Sequence, residues 1–162
     1  MSHLTSGPLE FNSVKGLHRV WATWWIDTGL AGYVFKLKGP SKALIASMSN
    51  QGRLTVQPGY LWDGSSGPTI DGEADPVPSL VHDVLYEAIR AGSLPMMIRP
   101  ETDGLYYELL RERGMGVVFS RPSKWWKPWE LFRGAGTRWL GLRLFARYAA
   151  SRKPEYPRRT AA

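Results

Sequence analysis

The chain has 162 residues, 43% of them hydrophobic, with no cysteine and a formal net charge of +7. That length suits one domain able to bury about two-thirds of its unfolded surface. The missing cysteines exclude disulfides and thiolate metal sites, and the lack of any run of about 18 apolar residues argues against a spanning helix. The charge is uneven: residues 1–120 carry 10 Lys and Arg against 12 Asp and Glu, whereas residues 121–162 carry 11 against 2. The basic character therefore belongs to the C-terminal quarter.

The opening stretch, "MSHLTSGPLEF", lacks the basic-then-apolar order of a secretory signal, so the expected place of synthesis is the cytoplasm. Residues 1–60 read as strands and turns. "RVWATWWID" alternates Val20, Ala22, Trp24 and Ile26 against Arg19, Trp21, Thr23, Trp25 and Asp27, and "YVFKLKG" alternates again after the turn "TGLAG". "ALIASM" and "RLTVQ" flank "SNQG", a glycine-containing hairpin connection. Together they predict a small antiparallel sheet.

Residues 58–78, "PGYLWDGSSGPTIDGEADPVP", form a loop rich in Pro and Gly. Asp75 or Pro76 precedes a helix expected to begin near Pro78 and to stop at "AG" after Arg90. A second helix is expected from about Pro100 to Gly114, with Glu101 and Asp103 in its first turn. Beyond a basic, aromatic connector, "RPSKWWKP", residues 129–151 predict a third helix, apolar over most of its circumference and striped by Arg133, Arg143 and Arg147. The tail, 152–162, reads as disordered.

The fold class is thus α+β in one domain, 1–151: a β-rich part (1–60), a loop and helix pair (61–114) and a basic helix (121–151). His3 and His18 read as surface residues.

The chemistry concentrates in the helix pair. His82 and Tyr86 in "PSLVHDVLYEAI" are four apart and share a helical face, while Asp83 is turned by about 100°. If the two helices pack antiparallel, Asp103 reaches the His82 nitrogen that faces away from a substrate. His82 would then take a proton from water, Asp103 would fix the imidazole tautomer, and Asp83 would hold a hard cation that polarises a carbonyl. Calcium suits the loop ahead, because Ca²⁺ accepts many oxygens, backbone carbonyls among them. Gly64 and Gly67 let carbonyls turn toward one point, and Asp63 adds a second carboxylate. Taken singly, Asp103 is an acid near a helix start, Asp63 a turn residue before glycine, and His82 a structural histidine.

"GYLWDGSSGP", "HDVLY" and "TDGLYYELL", within about residues 52–114, resemble the pattern of a bacterial and tailed-phage family of unknown function: a Gly-rich Asp-Gly-Ser loop, a His-Asp-x-Leu-Tyr helix and an Ala-Asp helix. Thr102 stands where that family usually has Ala. More distantly, the segment is similar to the calcium-dependent phospholipases of the A-two type, in their cysteine-free parvoviral form. That resemblance implies His82 as the base, Asp83 as the calcium ligand, loop carbonyls around Trp62, Gly64 and Ser66 completing the ion's shell, Asp103 orienting His82, and Tyr86 bonded to Asp103. Asp63 departs from it, since the family has Gly or Cys there, and so does the N-terminal sheet.

The expected function is therefore a phage or prophage hydrolase of ester bonds, phospholipid favoured. The other class is a non-enzymatic virion or accessory protein in which the His-Asp-Asp cluster is structural. "KWWKPWELFR", which interleaves Trp with cations, suits an anionic membrane surface or phage structural proteins as partner of residues 121–151; nucleic acid is the weaker fit, because no recognition motif is visible. A virion-associated or membrane-peripheral location stays open beside the cytoplasm.

Overall fold

The computed structural model describes residues 4–14, 17–63 and 76–112. Seven short strands precede two helices: β1 (Phe11–Val14), β2 (Leu17–Val20), β3 (Trp24–Asp27), β4 (Phe35–Lys38), β5 (Leu44–Met48), β6 (Arg53–Val56), β7 (Leu61–Trp62), α1 (Val77–Arg90) and α2 (Arg99–Glu112). A 3-10 turn, Met96–Ile98, joins the helices. The architecture is mixed α+β, with every strand pairing antiparallel. The expected third helix and the tail lie outside the described residues.

The strands make two sheets where one was expected, ordered β1-β2-β7 and β3-β6-β5-β4. The stretch "RVWATWWID" supplies a strand to each. Strand faces alternate strictly, but Trp21, Ala22 and Thr23 are all exposed, so the alternation breaks there. Val20 accepts from Gly59 N–H (2.8 Å) and donates to the Tyr60 carbonyl (3.0 Å), and Trp21 N–H still donates to the Glu10 carbonyl (2.9 Å). The chain then crosses to β3, where Trp24 pairs with Val56. In the second sheet, Ser6 bridges Ile26 on the outer side of β3, and Gly7 N–H donates to the Trp25 carbonyl. The opposite edge is β4, whose Phe35 and Leu37 turn inward while Lys36 and Lys38 face out.

One core joins these sheets to α1. Trp24, Ile26, Leu37, Met48, Leu54 and Val56 pack with Leu80, Val81, Val84, Leu85 and Ala88. α1 begins after Pro76, with Pro78 in its first turn, where a missing N–H costs nothing. Its end is a Schellman motif: Gly92, at φ 70°, donates to the Ile89 carbonyl, and Ser93 N–H donates to that of Ala88. Every residue from Val77 to Ile89 is buried. That is more than the amphipathic pattern needs, because Ser79, His82, Asp83, Tyr86 and Glu87, three and four apart, make a polar stripe along the same helix. A buried polar group needs a partner, and those partners define the site.

The β5–β6 turn fixes the hairpin register and tolerates no side chain. Gly52, at φ 81°, donates to the Ser49 carbonyl (2.9 Å), and a Cβ there would lie 3.0 Å from the Leu30 backbone. Gly59 has φ 88° but faces open space. Gly52→Ala is expected to lose about 2–3 kcal/mol in urea unfolding, against about 1 kcal/mol for Gly59→Ala.

Candidate functional site

The stripe on α1 has two rows, and each meets a different neighbour. Ser79, Asp83 and Glu87 form the first. The Trp62 indole N–H donates to Ser79 Oγ (3.2 Å), which itself donates to the Pro76 carbonyl (2.9 Å). The Tyr60 hydroxyl donates to Glu87 Oε2 (2.8 Å) within the core. Asp83, buried, sits on the helix between these two anchors, so its row faces the segment that carries Tyr60 and Trp62.

His82 and Tyr86 form the second row, which faces α2. The His82 ring stacks on Tyr86 with centroids 4.1 Å apart and an interplanar angle of 31°; the Tyr106 ring of α2 lies 5.1 Å from it, tilted by 57°. The two helices run in opposite senses at this contact, since Tyr86 meets Asp103 and His82 meets Tyr106. Asp103 is 0% exposed. Its Oδ1 accepts the Tyr86 hydroxyl at 2.6 Å and lies 3.6 Å from His82 Nε2, while its Oδ2 lies 3.8 Å from Arg99 Nε. At 3.6 Å the His82–Asp103 contact is an electrostatic pairing just beyond hydrogen-bond length.

Burial pushes the His82 imidazole below its ordinary pKa of 6.5; the Asp103 carboxylate opposes this, and the Arg90 cation adds to it. The ring is therefore neutral at pH 7, the state a general base requires. Taken singly, Asp103 resembles an acid set to complement the helix dipole. Its depth gives it another place: the exposed acid in that first turn is Glu101.

Of the other predicted residues, Trp62 is wholly buried in β7 and Asp63 is exposed just after it, while Gly64 and Ser66 lie outside the described residues. Among the described residues no group of three or more His, Cys, Asp or Glu side chains is placed to hold a metal ion. Calcium takes roughly six to eight oxygens, so Asp83 and Asp63 do not by themselves make a cation site. His18 is partly exposed: its ring lies 5.0 Å from that of Trp62, and Nδ1 is 2.6 Å from Ser13 Oγ. His3 lies outside the described residues.

Sequence reasoning missed four participants. Arg99 and Tyr106 stand four before and three after Asp103, spacings that put all three on one helical side. Glu87 stands four after Asp83 by the same rule. Tyr60 gave no local signal, because its partner is 27 residues away. No family model, curated protein or solved structure matches the chain.

Two measurements bear on this geometry. Tyr86→Phe removes the donor to a buried carboxylate and is expected to cost about 1–3 kcal/mol in chemical denaturation. For His82 the folded pKa is depressed. Below pH 6.5 the unfolded chain therefore binds a proton that the folded chain refuses, and stability falls as pH drops through 6.5 toward the lower folded value. Urea midpoints at about pH 7.5 and about pH 5 should diverge less in His82→Gln than in the native chain.

Proposed function

We propose that this chain hydrolyses ester bonds, with phospholipid as the substrate class and the His82–Asp103 pair as its base. The observation that carries the reading is the junction at Asp103: a carboxylate with no exposed surface, bonded by Tyr86 and facing His82 Nε2 at 3.6 Å. With Nε2 directed at Asp103, Nδ1 is the nitrogen that takes a proton from water. The water oxygen then bonds to the ester carbonyl carbon, giving a tetrahedral oxyanion. On its collapse the C–O bond to the alcohol breaks, and the leaving oxygen recovers the proton from Nδ1. Asp103 stabilises the transient imidazolium, and Tyr86 fixes the carboxylate that does so.

Asp83 would hold a hard cation, calcium in this reading, which when bound would polarise the ester carbonyl. Asp63 and the carbonyls of Trp62, Gly64 and Ser66 are the proposed remaining donors. Phospholipid is favoured by the resemblance to the A-two phospholipases. Residues 121–151 are proposed to rest on an anionic membrane surface or on phage structural proteins, in keeping with a phage or prophage setting. No described helix is long and apolar enough to cross a membrane.

One observation favours the competing reading, a virion or accessory protein whose cluster only locks two helices together: His82 itself is 9% exposed. A single experiment separates the two. Hydrolysis of a monomeric short-chain phosphatidylglycerol is followed with calcium and with EDTA, beside the melting temperature. The native chain should hydrolyse the lipid only with calcium and melt higher in its presence, since a ligand of the folded state stabilises it. His82→Gln and Asp83→Asn should each lose about 10²–10⁴-fold in rate, with Asp83→Asn alone also losing the calcium-dependent rise. A native chain without activity, whose two variants melt far lower, belongs to the structural reading.

A further inference from the structure

The two oxygens of Asp103 have different neighbours. Oδ1 accepts the Tyr86 hydroxyl at 2.6 Å and faces His82 Nε2 at 3.6 Å, both from α1. Oδ2 faces Arg99 Nε at 3.8 Å, one turn earlier on α2. The Arg99 side chain is 17% exposed, and its backbone is anchored. Its N–H donates to the Met96 carbonyl, and the preceding residue, Ile98, is wholly buried and accepts from Thr102 Oγ1 at 3.2 Å. The guanidinium therefore meets the carboxylate from a fixed helix start.

Three roles suit a cation at that point: neutralising a buried charge, binding a substrate phosphate, or orienting the carboxylate. A phosphate contact needs a guanidinium that faces solvent, whereas Arg99 is mostly enclosed and turned toward Asp103. Neutralisation needs no particular oxygen, yet Arg99 and the α1 side chains divide the two oxygens between them. A hydrogen bond to one oxygen leaves a carboxylate free to turn about its Cβ–Cγ bond, a broad and roughly two-fold torsion. A positive charge beside the other oxygen opposes that turn. His82 Nε2 is buried and makes no hydrogen bond among the described residues, so Oδ1 is the acceptor its proton would follow.

We infer that Arg99 is a positioning residue: its charge beside Asp103 Oδ2 keeps Oδ1 toward α1 and so holds the His82 proton on Nε2, leaving Nδ1 free. Its catalytic meaning rests on the function proposed above; the tautomer itself is a property of the folded chain without substrate. At 3.8 Å the contact is a pairing of charges rather than a hydrogen bond. A lysine ammonium beside the same oxygen therefore substitutes for the guanidinium, and a neutral side chain does not.

The test uses the full chain with nitrogen-15 histidine. Ring-nitrogen NMR spectra at about pH 7.5, where a neutral imidazole shows its tautomer, are compared for the native protein, Arg99→Lys, Arg99→Gln and Arg99→Met. The His82 signals are assigned by their loss in His82→Gln. Melting temperatures and hydrolysis of the short-chain phosphatidylglycerol with calcium are measured beside them. The native and Lys proteins should show the Nε2–H form, and the folded neutral variants a mixture of tautomers. In those variants kcat should fall about tenfold or more and recover in Arg99→Lys, with KM within about twofold of native throughout. A native tautomer in a folded neutral variant, whatever its melting temperature, overturns the inference, and so does an Arg99→Lys protein that matches the neutral ones. Failure of both neutral variants to fold overturns it in favour of a role in stability alone. A raised KM at unchanged kcat overturns it in favour of a substrate-phosphate contact. A native chain that hydrolyses nothing, with the tautomers as expected, would refute the hydrolase and leave the positioning of His82 by Arg99 standing.

Discussion

Asp103 has no exposed surface, and much of the helix pair is arranged around that fact. An ionised carboxylate removed from water is costly unless donors and cations replace its solvation. Tyr86 provides a hydroxyl from α1, Arg99 a cation from its own helix, and His82 an imidazole edge. Each comes from a different place on the helices, so satisfying one carboxylate fixes the rotation of α1, the start of α2 and the distance between them. A cluster that locks two helices and a cluster that orients a base make the same demand on geometry, which is why stability and activity have to be read separately in any variant.

The first row of α1 performs the equivalent task toward the sheets. Trp62 and Tyr60 deliver an indole N–H and a phenol to Ser79 and Glu87, so β7, only two residues long, is held by side chains as much as by its pairing with β2. The helix is consequently polar along one side and buried along all of it. Its neutral histidine follows from the same enclosure: burial opposes the imidazolium more than one carboxylate beyond hydrogen-bond length can favour it.

The helices were legible in the sequence because their boundaries carry local chemistry. Pro76 and Pro78 mark one start, Gly92 marks a stop, and the spacing of His82 and Tyr86 places them on one face. Asp103 was legible as a residue of interest, but its depth was not, since an acid four residues into a helix looks solvated until the partner helix is placed against it. The strands were less legible. Alternation through "RVWATWWID" is broken only by Ala22, a residue small enough to suit either environment, so one sheet was read where two exist. Tyr60 and Glu87 form a tertiary pair between a loop and a helix, and no periodicity within either segment encodes it.

The second sheet has unequal margins. The Ser6–Gly7 segment lies along β3, whereas β4 ends the sheet among the described residues. Its outward side chains are Lys36 and Lys38. A strand from another copy adding there in antiparallel register would bring ammonium groups against ammonium groups, so the protein meets its own kind at that margin with electrostatic repulsion.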